Sequence, residues 1–358
     1  IKIYREQLER RLGRAHEIAR MMIHKAQAKP KQVVFPEGDD EKILRACHCL
    51  LEEKIAAPIL LGNADDVRAK AIGLGVDITG ARIVDVDKSE FRERYIDELF
   101  RLRQRRGVTL TEARALLNNR NVFGSLMVRM GDADALVSGV TQHFPDVIRP
   151  ALQIVRMREG LHKVSGCYAM ITRSGELYFM ADTSVNIEPS AEDLVEIALC
   201  TAETARRFDV VPRVALLSFS TFGSTLNGHT DKVRKAVDLL HAADPSLVVD
   251  GEIMADIAVS PELLEQTYPF ILLKGGANVL IFPDLNSANI AYKLLAKLGG
   301  AETLGPILMG MNRPVHVLSR GAEVEEIVNV AAIAVVDAQE CDIIASSPEF
   351  AKPEVVAR

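Results

Sequence analysis

Tryptophan is absent from this chain of 358 residues, and aromatic residues of all kinds make up only 5% of it. Valine, isoleucine, leucine and alanine supply most of the apolar residues, a composition typical of buried parallel strands covered by helices. No run of about 18 consecutive apolar residues occurs, so the sequence predicts no membrane-spanning helix. The length exceeds that of a typical single domain and predicts two hydrophobic cores.

Long basic runs and paired cysteines are also missing. The net charge is −6 at pH 7, which makes nucleic acids and anionic membranes poor candidate partners. The cysteines are odd in number and scattered, which predicts reduced thiols in a cytoplasmic protein. Cys47 and Cys49 lie two residues apart on a predicted helix, where packing is a better interpretation than metal binding.

Common motifs for cofactors and catalysis are missing as well. No G-x-G-x-x-G sequence follows a predicted strand and no G-x-x-x-x-G-K-[ST] loop occurs, which argues against a nicotinamide site of the usual kind and against a P-loop. No G-x-S-x-G sequence marks an esterase nucleophile. The eight histidines are dispersed and show no metal-binding spacing, so the sequence predicts no metal site.

Short apolar strands that alternate with helical patterns predict two doubly wound α/β domains with mostly parallel sheets. The pattern changes where two strand-like runs flank Arg173-Ser174-Gly175, a signal that predicts a hairpin. We expect the chain to cross between domains just before this hairpin, and its last strand and helix to return to the first domain. The predicted domains are residues 1–155 with 315–358, and residues 156–314.

The segment from Tyr4 to Lys29 is predicted to be a helix with one apolar stripe. This stripe either packs on the helix's own domain or docks onto a domain that precedes the sequence. The first residue is Ile1 rather than methionine, so we expect either a piece of a longer protein or a trimmed chain.

A Ser-Arg-Gly triplet, Ser319-Arg320-Gly321, follows a predicted strand, and a carboxylate-rich segment comes directly after it. Ligands of open α/β sheets bind at the carboxyl ends of strands, and a guanidinium can bind a phosphoryl or acyl-phosphate oxygen through two hydrogen bonds. Glu326 on the following helix can act as a base. The alternative is an ordinary helix start whose carboxylates complement the helix dipole.

The loop S-T-F-G-S, residues 220–224, follows another predicted strand. It is a candidate phosphate cradle, because backbone N–H groups and hydroxyls in such loops can bind anions. An ordinary turn is the alternative. Arg103 lies in the basic cluster R-L-R-Q-R-R-G and Arg149 precedes Pro150, but neither position alone indicates a ligand.

One known family, the phosphate acetyltransferases, is similar to this chain in the segments VVFPEGDDEKILRA, FMADTSVNIEPSAEDLVEIALCTAETARRF, PRVALLSFSTFGS, ANVLIFPDLNSANIAYKLL and LSRG. The resemblance covers about residues 20–340. It implies two α/β domains of isocitrate dehydrogenase-like architecture, a cleft between them that binds coenzyme A, and a dimer. The implied reaction transfers an acetyl group between acetyl phosphate and the thiol of coenzyme A.

The resemblance also implies roles for individual residues. Ser319 and Arg320 match the catalytic Ser-Arg pair of the family, and Glu326 stands where the family has the aspartate proposed to deprotonate the coenzyme A thiol. Arg103 matches the arginine of an L-R-x-x-x-G stretch, and Arg149 matches that of R-P-A-L-Q. The residues expected to bind acetyl-CoA or phosphate are Arg103, Arg149, Ser220, Thr221, Gly223, Ser224, Asn286 and Asn289.

The chain departs from the family pattern near these residues. His316 and Val317 replace an Asn-Asp pair, Ala322 replaces a cysteine, and Phe222 stands where stand-alone enzymes usually carry lysine. Together with the segment GPILMGMNRPVHVL, these differences resemble the C-terminal phosphotransacetylase-like domain of hybrid bacterial malic enzymes. In those proteins a separate N-terminal half oxidatively decarboxylates malate.

From this second resemblance we expect an acetyl-CoA-binding regulatory and oligomerisation domain of a hybrid malic enzyme, with weak or no transferase activity. Its ligand would be acetyl-CoA or coenzyme A and its partners further copies of the chain, as a homodimer or higher homo-oligomer. NADP and a divalent metal would belong to a preceding malic enzyme half. Two alternatives stay open, namely an active phosphate acetyltransferase and a structural dimerisation module with a vestigial cleft.

Overall fold

The computed structural model describes residues 17–346, so residues 4–16 of the predicted first helix lie outside the described part. The strands are β1 (Lys31–Phe35), β2 (Ala56–Leu61), β3 (Arg82–Val84), β4 (Ala135–Ser138), β5 (Ser165–Ile171), β6 (Leu177–Ala181), β7 (Arg213–Leu217), β8 (Val248–Ile253), β9 (Val279–Ile281), β10 (Glu302–Met309) and β11 (Val315–Val317). The helices are α1 (residues 17–28), α2 (Glu41–Glu52), α3 (Ala64–Leu74), α4 (Arg92–Arg103), α5 (Leu110–Leu116), α6 (Arg120–Met130), α7 (Phe144–Ile154), α8 (Ala191–Arg207), α9 (Gly228–Ala243), α10 (Ala255–Ala258), α11 (Pro261–Thr267), α12 (Leu285–Lys297) and α13 (Val324–Ser346).

The described chain divides into two compact units. The first unit comprises residues 22–156 and 311–346, and the second comprises residues 157–310 together with 17–21. The predicted division into two domains and the predicted ligand-binding cleft stay predictions.

The first unit is built on a five-stranded parallel sheet with the strand order β11-β4-β1-β2-β3. β4 is buried along its whole length. α13 packs on β1 and β4 next to α2, and α6 packs on the same two strands next to α7. Helices therefore cover both faces of the sheet, which explains why its strands are apolar rather than alternating.

The second unit contains a six-stranded sheet with the order β10-β5-β6-β9-β7-β8. β6, β9, β7 and β8 are parallel to one another, whereas β5 is antiparallel to both β6 and β10. The predicted hairpin is confirmed by β5 and β6, which pair from Cys167↔Ala181 to Ile171↔Leu177. The prediction of a doubly wound α/β fold with parallel sheets is confirmed.

Local capping fixes the start of the longest helix of the second unit. Ser190 accepts a hydrogen bond from the backbone N–H of Asp193 at 3.1 Å, and the carboxylate of Asp193 accepts one from the N–H of Ser190 at 3.0 Å. This reciprocal capping box satisfies two N–H groups that α8 leaves without a helical partner.

The cysteines, all of which lie between residues 17 and 346, form no disulfide. Cys47 is buried and Cys49 is half-buried on α2. Burial raises the pKa of the Cys47 and Cys200 thiols to about 12, so both stay protonated at neutral pH. These thiols are packing groups rather than nucleophiles.

Between residues 17 and 346, no helix combines the length and the apolar character needed to cross a membrane. Within the same range, no group of three or more His, Cys, Asp or Glu side chains is arranged to hold a metal ion. The cytoplasmic location and the homo-oligomeric state stay predictions of the sequence.

Candidate active site

Three loops of the first unit meet at one edge of its sheet. β11, β4 and β1 are neighbours and run parallel, so the loops that follow them leave from the same edge. The carboxyl ends of parallel strands are where open α/β sheets bind ligands. The Ser319-Arg320 segment predicted from the sequence follows β11 and therefore lies at this edge.

Ser319 and Arg320 are exposed to solvent, and the backbone on either side of them is fixed. Leu318 donates its N–H to the carbonyl of Ser138 at 2.8 Å, and Gly321 donates its N–H to the carbonyl of Val140 at 2.9 Å. Both bonds join the segment to the end of β4 and the loop that follows it. The hydroxyl and guanidinium are thus presented to solvent from a backbone held on both sides.

Arg320 contacts His143, a residue to which sequence reasoning gave no role. Nη1 of Arg320 lies 3.2 Å from Nε2 and 3.4 Å from Nδ1 of the His143 ring. His143 is the residue before the first turn of α7, and its position in a loop after a predicted strand was the only sequence signal for it. A guanidinium carries only donors, so the imidazole nitrogen that lacks a hydrogen is the atom able to accept from it.

Glu37 is the second residue that sequence reasoning missed. It lies directly after β1, is 5% exposed, and directs its carboxylate at the loop after β4. The carboxylate oxygens accept hydrogen bonds from the backbone N–H groups of Gly139 at 2.7 Å, Val140 at 3.1 Å and Thr141 at 2.7 Å. They also accept from the hydroxyl of Thr141 at 2.5 Å and that of Ser138 at 3.3 Å.

An ion pair braces the loop after β1. Nη1 of Arg120 lies 2.6 Å from Oδ1 of Asp39. Burial alone raises the pKa of the Asp39 carboxyl, but the hydrogen bond and charge of Arg120 outweigh it and the net shift of this pKa is downward. Asp39 therefore stays ionised at neutral pH and keeps its pairing with Arg120.

Lys42 links α2 to the segment after Arg320. Its Nζ donates hydrogen bonds to the carbonyl of Gly321 at 2.9 Å and to Oε1 of Glu323 at 2.8 Å. The ammonium therefore pairs with the Glu323 carboxylate and donates to a backbone carbonyl just before α13.

Glu326 lies in the first turn of α13 and is exposed. Its Oε2 accepts a hydrogen bond from the backbone N–H of Glu323 at 2.9 Å, which is the bond made by the acidic residue of a capping box. The helix-start interpretation left open by the sequence is therefore correct for one oxygen. The geometry is compatible with Oε1, the other carboxylate oxygen, acting as a base.

Arg149 and Arg103 occupy different helices of the first unit. Arg149 is exposed on α7, about 9 Å along the axis from His143 by helical rise, and α7 packs on β11. Arg103 is half-buried at the last residue of α4, which packs on α5 and α6. Arg149 thus shares an element with the histidine that touches Arg320, whereas Arg103 does not.

The loop of residues 220–224 folds around a buried carboxylate of its own unit. Glu252 is 0% exposed, and its Oε1 accepts hydrogen bonds from the N–H of Gly223 at 2.6 Å and the hydroxyl of Ser220 at 3.1 Å. Thr221 and Ser224 bond to each other, their N–H groups going to Ser224 Oγ and to the Thr221 carbonyl. The backbone amides that the cradle prediction needs are already used inside the loop. Ligand binding by Ser220, Thr221, Gly223 and Ser224 stays a prediction.

Phe222 belongs to an aromatic cluster of the second unit. It has a φ of +47°, and its ring centroid lies 5.2 Å from that of Tyr268 and 5.1 Å from that of Phe270, both edge-on. The Phe222 ring therefore packs against two other aromatic rings of its own unit. Phe222, which stands where stand-alone enzymes usually carry lysine, is thus part of the apolar packing of this unit.

Asn286 and Asn289 lie on α12, after β9 at the carboxyl edge of the second sheet. Asn289 donates from Nδ2 to the carbonyl of Thr183 at 3.1 Å, which joins α12 to the loop after β6. Asn286 is exposed. Their predicted contact with acetyl-CoA stays a prediction.

The departures around Ser319 are buried. His316 is 0% exposed, Val317 is 1% exposed and Ala322 is 3% exposed. Nε2 of His316 lies 3.2 Å from Oδ2 of Asp337 on α13. These residues pack strand β11 and the following turn into the core, so their replacement changes the packing beneath the site rather than its exposed groups.

Comparisons with known proteins decide the family. A family model described as phosphate acetyl/butaryl transferase matches residues 17–335. The chain belongs to this family. The phosphate acetyltransferase of Bacillus subtilis is 43% identical over 86% of this chain and 95% of its own length. That of Thermoanaerobacterium thermosaccharolyticum is 42% identical over 90% of this chain and 99% of its own length.

A solved structure supports the same conclusion. A phosphotransacetylase from Streptococcus pyogenes superposes with a TM-score of 0.87 at 38% identity, and the match covers 91% of this chain and 99% of that one. The family prediction and the phosphate acetyltransferase-like fold are therefore confirmed.

The expectation of a malic enzyme regulatory domain with little transferase activity is wrong. The NADP-dependent malic enzyme of Escherichia coli is 38% identical over 94% of this chain, but the match covers only 45% of that protein. The Bacillus and Thermoanaerobacterium transferases are more similar and match along nearly their whole length. His316 and Ala322 are buried, so these two departures do not change the exposed groups of the candidate site. The comparisons favour the alternative of an active phosphate acetyltransferase.

Proposed function

We propose that this chain is an active phosphate acetyltransferase, which transfers the acetyl group of acetyl phosphate to the thiol of coenzyme A. The observation that carries the proposal is the exposed Ser319-Arg320 pair at the carboxyl end of β11. It occurs in a chain that resembles phosphate acetyltransferases over nearly their whole length. An exposed guanidinium at this edge of a parallel sheet suits a phosphorylated substrate.

The proposed reaction uses five side chains of the first unit. Arg320 binds the phosphoryl oxygens of acetyl phosphate through charge-assisted hydrogen bonds, and Arg149 and Arg103 supply further positive charge. Glu326 takes the proton of the coenzyme A thiol. The sulfur forms a bond to the acetyl carbonyl carbon, and the Ser319 hydroxyl donates a hydrogen bond to the resulting oxyanion. The carbon–oxygen bond to phosphate then breaks, and phosphate leaves with the electron pair.

The second unit carries other residues that the sequence predicted to bind acetyl-CoA or phosphate. Asn286 offers an exposed carboxamide for hydrogen bonds to the cofactor. In the loop of residues 220–224, the amides and the Ser220 hydroxyl are engaged with Glu252 and with one another.

Turnover by the unmodified chain tests the proposal. We expect acetyl-CoA formation from acetyl phosphate and coenzyme A at a kcat above ~1 s⁻¹, the lower range of ordinary enzymes. Thioester absorbance measures the product, and reactions that lack either substrate or protein are the controls. A rate equal to that of the protein-free reaction at saturating substrates would contradict the proposed function.

Two replacements of Glu326 separate a base from a helix cap. Gln keeps an oxygen for the N–H of Glu323 but cannot take a proton, whereas Ala removes both functions. We expect both variants to lose about 100-fold in kcat, and only Glu326→Ala to lose about 1 kcal/mol of stability. Steady-state kinetics and thermal unfolding measure the two effects. A Glu326→Gln variant with unchanged kcat would assign this side chain to the cap alone.

A further inference from the structure

The Glu37 carboxylate accepts more hydrogen bonds than a packed core requires. It accepts three backbone N–H groups and two hydroxyls, all from residues 138–141. Hydrogen bonds to an ionised carboxylate are shorter and stronger than neutral ones. The loop after β4 is therefore set in place by one side chain from the loop after β1, which lies 102 positions before Gly139 in the sequence.

The same loop holds the segment after β11. The carbonyl of Val140, whose N–H is bound by Glu37, accepts the N–H of Gly321 at 2.9 Å. Two residues beyond Thr141, the His143 ring contacts the guanidinium of Arg320 at 3.2 Å. A displacement of residues 139–143 would move both contacts together.

We propose that Glu37 is a positioning residue for the transferase reaction, because its buried carboxylate fixes the loop of residues 139–143 that holds Ser319-Arg320-Gly321 through Val140 and His143. The inference rests on the proposed function. Glu37 touches no reacting atom. It keeps the Arg320 guanidinium where the acyl-phosphate oxygens bind, and displacements near 1 Å at such groups cost large factors in rate.

Glu37→Gln breaks the arrangement with the smallest change in volume. A carboxamide offers one oxygen and turns an N–H donor towards loop N–H groups that are themselves donors. We expect kcat for acetyl-CoA formation to fall about 10- to 100-fold, while KM for coenzyme A changes by less than about 3-fold.

A double-mutant cycle distinguishes positioning from general damage. If Glu37 acts through Arg320, Glu37→Gln should lower kcat by less than about 3-fold in an Arg320→Ala background. Asp132→Asn is the matched control, because this carboxylate of the first unit accepts the Tyr95 hydroxyl at 2.7 Å on a different part of the fold. We expect Asp132→Asn to lower the unfolding temperature without changing kcat in either background.

His143→Ala repeats the test with an exposed residue whose removal leaves the core intact. We expect kcat to fall about 10-fold in the unmodified chain and to stay unchanged in the Arg320→Ala background. If Glu37→Gln prevents folding, this variant decides the question. The inference would be overturned, and the proposed function left standing, by either of two results. One is that the fold-loss in kcat from Glu37→Gln or His143→Ala multiplies with the fold-loss from Arg320→Ala. The other is that Glu37→Gln or His143→Ala causes no loss in kcat. An unmodified chain without turnover would overturn the proposed function and the inference with it.

Discussion

Replacing Arg320 with alanine should lower kcat for acetyl-CoA formation by about 100- to 1000-fold, the cost of removing one preorganised charge stabiliser. The guanidinium is exposed, it contacts His143 at 3.2 Å, and the backbone beside it is fixed through Gly321. We expect KM for acetyl phosphate to rise as well, because in the proposed reaction Arg320 binds the phosphoryl group before the acetyl group is transferred. The unfolding temperature should stay the same, since the side chain is solvent-exposed.

Arg313→Ala is the control for this result. Arg313 is an exposed arginine just before β11, so its removal changes the net charge of the same segment equally. We expect its kinetics to match those of the unmodified chain. Arg320→Lys should recover only part of the lost rate, because an ammonium keeps the charge without the planar pair of donors. Equal losses in the Arg313 and Arg320 variants would contradict a specific role for Arg320.

The class of fold and strands such as the β5–β6 hairpin could be predicted from the sequence, but strands β8 and β10 could not. β10 contains Gly305-Pro306, and proline within a strand pattern argues against a central strand. The structure places β10 at the edge of the second sheet, paired only with β5 among the described strands, where a missing N–H is tolerated. β8 carries Asp250 and Gly251, which interrupt the apolar pattern, and it too is an edge strand. A strand at the edge of a sheet does not need the continuous apolar run by which buried strands are recognised in a sequence.

The Ser319-Arg320 pair could be found from the sequence, whereas Glu37 and His143 could not. The pair follows a predicted strand and belongs to a family motif. Glu37 and His143 come next to it only because β1, β4 and β11 are neighbours in the sheet, and that order is not contained in local patterns. From the sequence, the departures from the family pattern at His316 and Ala322 carried too much weight. The sequence does not show that both residues are buried beside the end of β11.

Replacing Gly139 with alanine should damage both stability and activity more than any other single methyl addition near the site. Gly139 has a φ of +128°, and a Cβ atom there would lie 2.6 Å from the carbonyl oxygen and 3.0 Å from the nitrogen of Leu318. The backbone atoms of Leu318, just after β11, cannot move away as the atoms of a flexible side chain can. We expect a loss of about 2–5 kcal/mol from backbone strain and overpacking. A kcat about 100-fold lower should accompany it, because Leu318 directly precedes Ser319.

Gly131→Ala separates strain from close approach. Gly131 also has a positive φ, +79°, at the end of α6, but a Cβ atom there would meet nothing within 4 Å. We expect this variant to lose about 1–2 kcal/mol and to keep its kcat. Urea unfolding midpoints and steady-state kinetics on both proteins measure the contrast. Because the Cβ of residue 139 would press on Leu318, which directly precedes Ser319, equal kcat values for the two variants would show that this contact does not position the Ser319-Arg320 pair.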